Sequence, residues 1–223
     1  MGGEAGSPLE CPPGLPTVEE IAATPRADKN LELLAVKLSK SIVANQAIYD
    51  RVVRDVGAIR ADNPEVAGIE YFAPGDGRGI FLVVDAQAYA MRDQAWYQSW
   101  TCLTDTYVAT DTRVEHPDSS KVYVELTLKG TYDIPAVAKQ FEALPGIESA
   151  SPSEGGGDGP SICVTREGGK WVYVFDDAGG DCPAGCTEHA YRWFSTDAAG
   201  AVTVLGVPTD EQVATYASRE VCH

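Results

Sequence analysis

Cys182, Cys186 and His189 are the residues whose types and spacing come nearest to chemistry. Both cysteines lie in the string Gly180–Cys186 (GDCPAGC), and the histidine follows closely. With Cys163 as a fourth ligand they form a Cys3His set suited to tetrahedral zinc. Oxidised to a disulfide, the same two cysteines staple a hairpin turn instead, with Pro183 and Gly185 as ordinary turn residues; this is the preferred reading. Asp176, Asp177 and Asp181 flank that turn, and Asp76 and Asp158 sit in Gly-Asp-Gly turns. Clustered carboxylates of this kind suit calcium. The EF-hand spacing is absent, however, and aspartate is a frequent turn residue. No cofactor is therefore assigned; calcium is the first alternative and zinc the second.

Catalytic constellations are poor. The histidines are His116, His189 and His223. There is no G-x-S-x-G, no H-E-x-x-H, no P-loop and no dinucleotide-binding glycine pattern. Glu188-His189 is a candidate acid/base pair, but two adjacent residues at a strand start read as surface groups. The expectation is a non-enzyme with no catalytic residue. Binding is another matter. Trp171 and Tyr173 share one face of their strand, and Tyr191 and Trp193 share one face of the next. Either pair makes a platform for sugars or peptides where exposed, and a small β core where buried.

Six cysteines, Cys11, Cys102, Cys163, Cys182, Cys186 and Cys222, are an even count that fits disulfides and an oxidising compartment. Cys182–Cys186 with Cys11–Cys222 and Cys102–Cys163 is one of the fifteen ways to pair six cysteines, and the others stay open. The net charge of −16 and pI near 4.4 repel nucleic acid and anionic membranes. They suit the solvated surface of a secreted, periplasmic or cell-surface protein. No apolar run approaches the ~20 residues that span a bilayer. The start, MGGEAGSPLECPPGLP, lacks the basic and apolar regions of a signal peptide, so an export signal is expected upstream, removed before maturity.

These residues need positioning elements. Residues 1–28 read as a flexible leader rich in Gly, Pro and Glu. Asn30–Ile59 carries two helices. Leu31, Leu34, Ala35, Leu38 and Ile42 mark the first. Asn45 caps the second, which is expected to face Ile48, Tyr49, Val52, Val53, Val56 and Ile59 inward and Asp50, Arg51, Arg54 and Asp55 outward. Asn63-Pro64 ends it. Gly79–Asp85 (GIFLVVD) reads as a buried strand. A helical pattern then runs from Ala86 through Trp100, Leu103 and Tyr107. A short strand lies near Asp111–His116 and a half-buried one over Lys121–Leu128. A helix carries Val137, Phe141 and Leu144, and a strand Ile147–Ala150. The order β-α-β-β-α-β predicts a ferredoxin-like unit, with the helical segment packed on it over residues 29–152. Residues 153–223 read as an antiparallel meander, Ser161–Thr165, Lys170–Phe175, His189–Ser195 and Ala201–Leu205, with a terminal helix over Thr209–Val221. The fold class is α+β.

Tyr132–Pro152 (YDIPAVAKQFEALPGIESASP) resembles the end of the propeptide and inhibitor domains of subtilisin-like proteases. The matching residues are Leu144, Pro145, Gly146, Ile147, Glu148, Ala150 and Pro152. The resemblance covers about a third of the chain, from Gly79 to Pro152. It implies a protein or peptide partner, a serine protease above all, held by a sheet face and an extended tail. This chain departs from that pattern in continuing into Gly155-Gly156-Gly157 and another module, with no protease domain. The whole arrangement, GDCPAGC included, also resembles uncharacterised exported bacterial proteins, which implies export and no particular activity. Two expectations follow: an exported, non-catalytic binding protein of propeptide or inhibitor type, or an extracellular structural or adhesion module stabilised by disulfides or a metal ion.

Overall fold

The computed structural model describes residues 15, 28–71, 78–91, 98–116, 118, 120–153, 159–182 and 185–217. Cys11, Cys222, Asp76, Asp158, His223 and nearly all of the leader lie outside them. The fold is α+β with two antiparallel sheets, and the chain divides into two compact units.

Arg78–Gly130 and Ile134–Ser153 belong to the first unit. Its described elements are β1 (Gly79–Asp85), α3 (Ala86–Ala90), α4 (Gln98–Thr106), β2 (Thr110–Glu115), β3 (Lys121–Thr127), α5 (Ile134–Glu142) and β4 (Ile147–Pro152). The strands run in the order β2-β3-β1-β4, every neighbour antiparallel. Side chains alternate across a strand, so each strand offers one set to the helices. Ile80, Leu82 and Val84 of β1 and Val122, Val124 and Leu126 of β3 are that set, all buried. Leu103 of α4, Tyr107 just after it, and Val137 and Phe141 of α5 are buried likewise. The Trp100 and Phe141 rings meet edge-on at 5.8 Å, and the Tyr107 hydroxyl donates to Gln140 Oε1 at 2.6 Å. The Leu144-Pro145-Gly146 turn brings Gly146, at φ +79°, against Ala88. That contact has no room for a side chain.

The second unit comprises Arg26–Gly77, Thr131–Asp133 and the chain from Glu154 onward. It holds α1 (Lys29–Ser39), α2 (Gln46–Asp62), a 3₁₀ turn (Pro64–Val66), β5 (Ser161–Glu167), β6 (Lys170–Gly179), β7 (Glu188–Thr196), β8 (Val202–Gly206) and α6 (Asp210–Ala217). Asp28 caps α1 by accepting from the Asn30 and Leu31 amides at 3.0 Å, and Asn45 caps α2 through Ala47 and Ile48. Asn63 closes α2 by donating its side-chain amide to the Ile59 carbonyl at 2.8 Å. β5-β6-β7-β8 is a simple meander.

The helical pair is where the expected organisation is corrected. Read as part of a 29–152 segment, it belongs instead with the meander. Leu34, Ala35, Val52, Val56 and Ile59 form one buried cluster with Ile162, Val164, Tyr173, Phe175 and Phe194. A four-stranded sheet with an apolar face needs a second layer, and α1 and α2 supply it from distant sequence. A second correction concerns α2 itself. Asp55 is wholly buried, whereas Val53 is 37% exposed. Position 55 follows Val52 by three and precedes Ile59 by four, which places it on the inward stripe.

Candidate binding surfaces

The predicted aromatic platform splits across the second sheet. Trp171 and Tyr173 point toward α1 and α2 and are buried at 7% and 0% exposure, which removes them as an exposed platform. The Arg51 and Arg166 guanidinium carbons lie 4.5 and 4.8 Å from the Trp171 ring centroid. Tyr191 and Trp193 sit on the opposite face, half-buried beside Val172, Val174 and Cys163. The register explains the split. Tyr173 pairs with Phe194 and Val174 with Trp193, so consecutive partners alternate faces.

Cys182 and Cys186 are joined in a disulfide that closes the β6–β7 connection. Cys102 and Cys163 are each disulfide-bonded as well, and there is no free cysteine among the described residues. The zinc set is thereby corrected, since a disulfide sulfur is no thiolate ligand. The acidic residues do not converge either. Asp176 and Asp177 are consecutive in β6 and project to opposite faces. Among the described residues no group of three His, Cys, Asp or Glu side chains is arranged to hold a metal.

His189 takes its acidic partner from across the sheet rather than from Glu188. Its Nδ1 lies 2.9 Å from Asp176 Oδ2, its Nε2 lies 3.2 Å from the Cys186 carbonyl, and its ring stacks on Tyr191 at 5.7 Å. A carbonyl only accepts, so Nε2 carries a proton. The ring is thus braced at the stapled turn.

The sequence missed a polar centre inside the second unit. Asp55 Oδ2 accepts from Thr196 Oγ1 at 2.6 Å and from the Tyr173 hydroxyl at 3.1 Å, while Arg51 and Arg54 approach the same carboxylate. Burial, and then the Asp55 charge, push the Tyr173 hydroxyl far above the ordinary tyrosine range. This centre ties α2 to β6 and β7. It joins a helix to two strands and is structural.

In the first unit, the sheet face opposite the packed set carries Phe81 and Val83 of β1 and Tyr123 and Glu125 of β3. Phe81 is 38% exposed, and its ring lies 5.6 Å from that of Tyr123. Charged pairs flank this aromatic centre: Arg113 with Glu115 on β2, and Lys121 Nζ at 2.6 Å from Glu148 Oε2. An apolar middle inside a polar margin is the anatomy of a protein-binding patch. The continuous apolar run Ile80–Val84 within GIFLVVD concealed it, because alternation cannot be seen where successive residues are all apolar.

No protein-family model, no curated protein and no solved structure matches the chain. Among the described residues, no helix is long and apolar enough to cross a membrane.

Proposed function

We propose that this is an exported, non-catalytic binding protein whose first unit is ferredoxin-like and docks a protein partner, in the manner of a subtilisin-type propeptide or inhibitor. The observation that carries this reading is the aromatic pair Phe81–Tyr123 on a sheet whose strand order is β2-β3-β1-β4. That order is the one a βαββαβ chain adopts when both helices cover one face, leaving the other for a partner. Export is supported by the disulfide chemistry of Cys102, Cys163, Cys182 and Cys186. The test is inhibition of a subtilisin-type protease by the full chain, read as hydrolysis of a chromogenic peptide. Inhibition at micromolar protein is expected, weakened about tenfold or more by Phe81→Asp, as for an anchor at the centre of an interface. An uninhibited protease at that concentration overturns the reading. The Cys182–Cys186 staple favours the second reading, a disulfide-stabilised structural or adhesion module, and that is where such a result would lead.

A further inference from the structure

We propose that the groove between the end of α1 and strand β5 binds a small amphiphilic carboxylate. This goes beyond the docking function and involves the second unit alone. The groove measures ≈ 410 Å³, at the small end of the range of ~300–1,000 Å³ typical of small-molecule sites. Ile48 and the edge of Leu38, over the buried Val164, give it an apolar side, and Lys37, Lys40 and Arg166 give it charge. No acidic side chain lines it, in a chain of net charge −16. Among the described residues neither lysine makes an ion pair.

Two details give the cations a purpose. Arg166 is held in place: its guanidinium lies over Trp171 and its Nη2 donates to the Leu38 carbonyl at 3.4 Å. A guanidinium has five N–H donors in a fixed fork, so this contact leaves a carboxylate-matched edge unspent. The bond also offsets the partial negative charge at the helix C-terminus, which would otherwise repel an anion. Lys40 is the second detail. It ends α1 in the left-handed region, φ 50° and ψ 39°, a position where glycine or asparagine is the natural occupant. Lys40 lines the groove, so a local backbone cost falls on a cationic residue there.

A charged head alone does not need the apolar side, and an apolar body alone does not need three cations. Carboxylate on a hydrocarbon or aryl body satisfies both. The groove is concave and of small-ligand size, which favours a free small molecule over a folded partner.

The experiment is calorimetric titration of the full chain with decanoate below its micelle concentration. Acetate and decyltrimethylammonium serve as the head-only and opposite-charge probes. Expected is micromolar binding of decanoate and none of the other two. Lys40→Gly is expected to weaken decanoate binding about tenfold while leaving the melting temperature unchanged or raised, because glycine relieves the left-handed position. Lys29→Gln removes the same charge from the far end of α1, roughly 16 Å away, and is expected to change affinity less than about twofold. Absent decanoate binding, equal binding of decyltrimethylammonium, or equal effects of the two lysine variants overturns the proposal. So does displacement of decanoate by a peptide with an apolar C-terminal residue at lower concentration, which would make the site a peptide groove. A failed protease assay leaves the proposal standing.

Discussion

Replacing Asp55 by asparagine isolates the charge of a buried carboxylate without creating a cavity. Oδ1 accepts from Arg54 Nε at 3.0 Å and Nη2 at 2.8 Å, and Oδ2 accepts from Arg51 Nε at 3.3 Å, Tyr173 OH at 3.1 Å and Thr196 Oγ1 at 2.6 Å. An amide keeps one acceptor oxygen, which faces Arg54, and turns its NH2 toward the side held by the two hydroxyls, which can reverse and accept, and by Arg51, which cannot. What is lost is the charge and the Arg51 hydrogen bond. Removing one partner of a buried ion pair costs about 3–5 kcal/mol. Arg51 and Arg54 keep 21% and 45% of their side-chain surface in solvent and regain water, so the lower end applies, about 3 kcal/mol. Thr196→Val removes one hydrogen bond to a charged acceptor and should cost about 2 kcal/mol. Trp171 belongs to the same cluster, so urea unfolding followed by tryptophan fluorescence carries this unit's signal, beside that of Trp96 and Trp100 from the other. The double variant should show a coupling above about 0.5 kcal/mol, since the two side chains touch. An Asp55→Asn loss below about 1 kcal/mol with no coupling would refute the account of this centre as the brace of the unit.

Three further substitutions follow from burial and backbone geometry. Tyr71 is 3% exposed, its hydroxyl has no hydrogen-bond partner among the described residues, and burial pushes its pKa up to about 12. Above pH ~10 the unfolded chain releases this proton and the folded chain keeps it, so stability falls as pH rises through about 12, by about 3 kcal/mol. Tyr71→Phe should remove that share of the alkaline loss and cost little at neutral pH; equal alkaline slopes in variant and parent would disprove it. Gly57 in α2 has nothing within 4 Å of an added Cβ, so Gly57→Ala should stabilise by about 0.5–1 kcal/mol. Gly146→Ala should destabilise by at least about 2 kcal/mol, because its Cβ would lie 2.3 Å from that of Ala88 at a φ of +79°. Thermal melts of the two variants moving in the same direction would contradict the turn geometry.

Local patterns were legible and long-range choices were not. Gly79–Asp85, the Asn45 cap, the stop at Asn63-Pro64 and all four meander strands could be read because capping, turn chemistry and alternation act within a few residues. Which sheet the helices would cover depends on Leu34 and Tyr173 joining one buried cluster, residues far apart in sequence with no local signature. Asp55 was read outward because an aspartate on a helix face is ordinarily solvated. Only its proximity to Tyr173 and Thr196, contributed by two different strands, makes burial affordable. The aromatic pairs on β6 and β7 were legible as pairs, but their opposite orientation required the register. Phe81 was hidden among the five consecutive apolar residues Ile80–Val84.

Net charge also has to be read at the right distance. A value of −16 opposes the approach of an extended polyanion, because such a partner meets the field of the whole surface. It says little about a single carboxylate seated beside Lys37, Lys40 and Arg166. At physiological ionic strength the screening length is about 8 Å, so exposed acids further away are damped while contact-range cations act at nearly full strength. Adding salt then weakens two opposed effects together: attraction within the groove and repulsion by the remainder of the molecule. Decanoate affinity should therefore respond to ionic strength less steeply than three cations alone would predict. A steep loss of affinity with salt would mean that the head group sits outside the groove, in open solvent, held by screened charges rather than by the Arg166 fork.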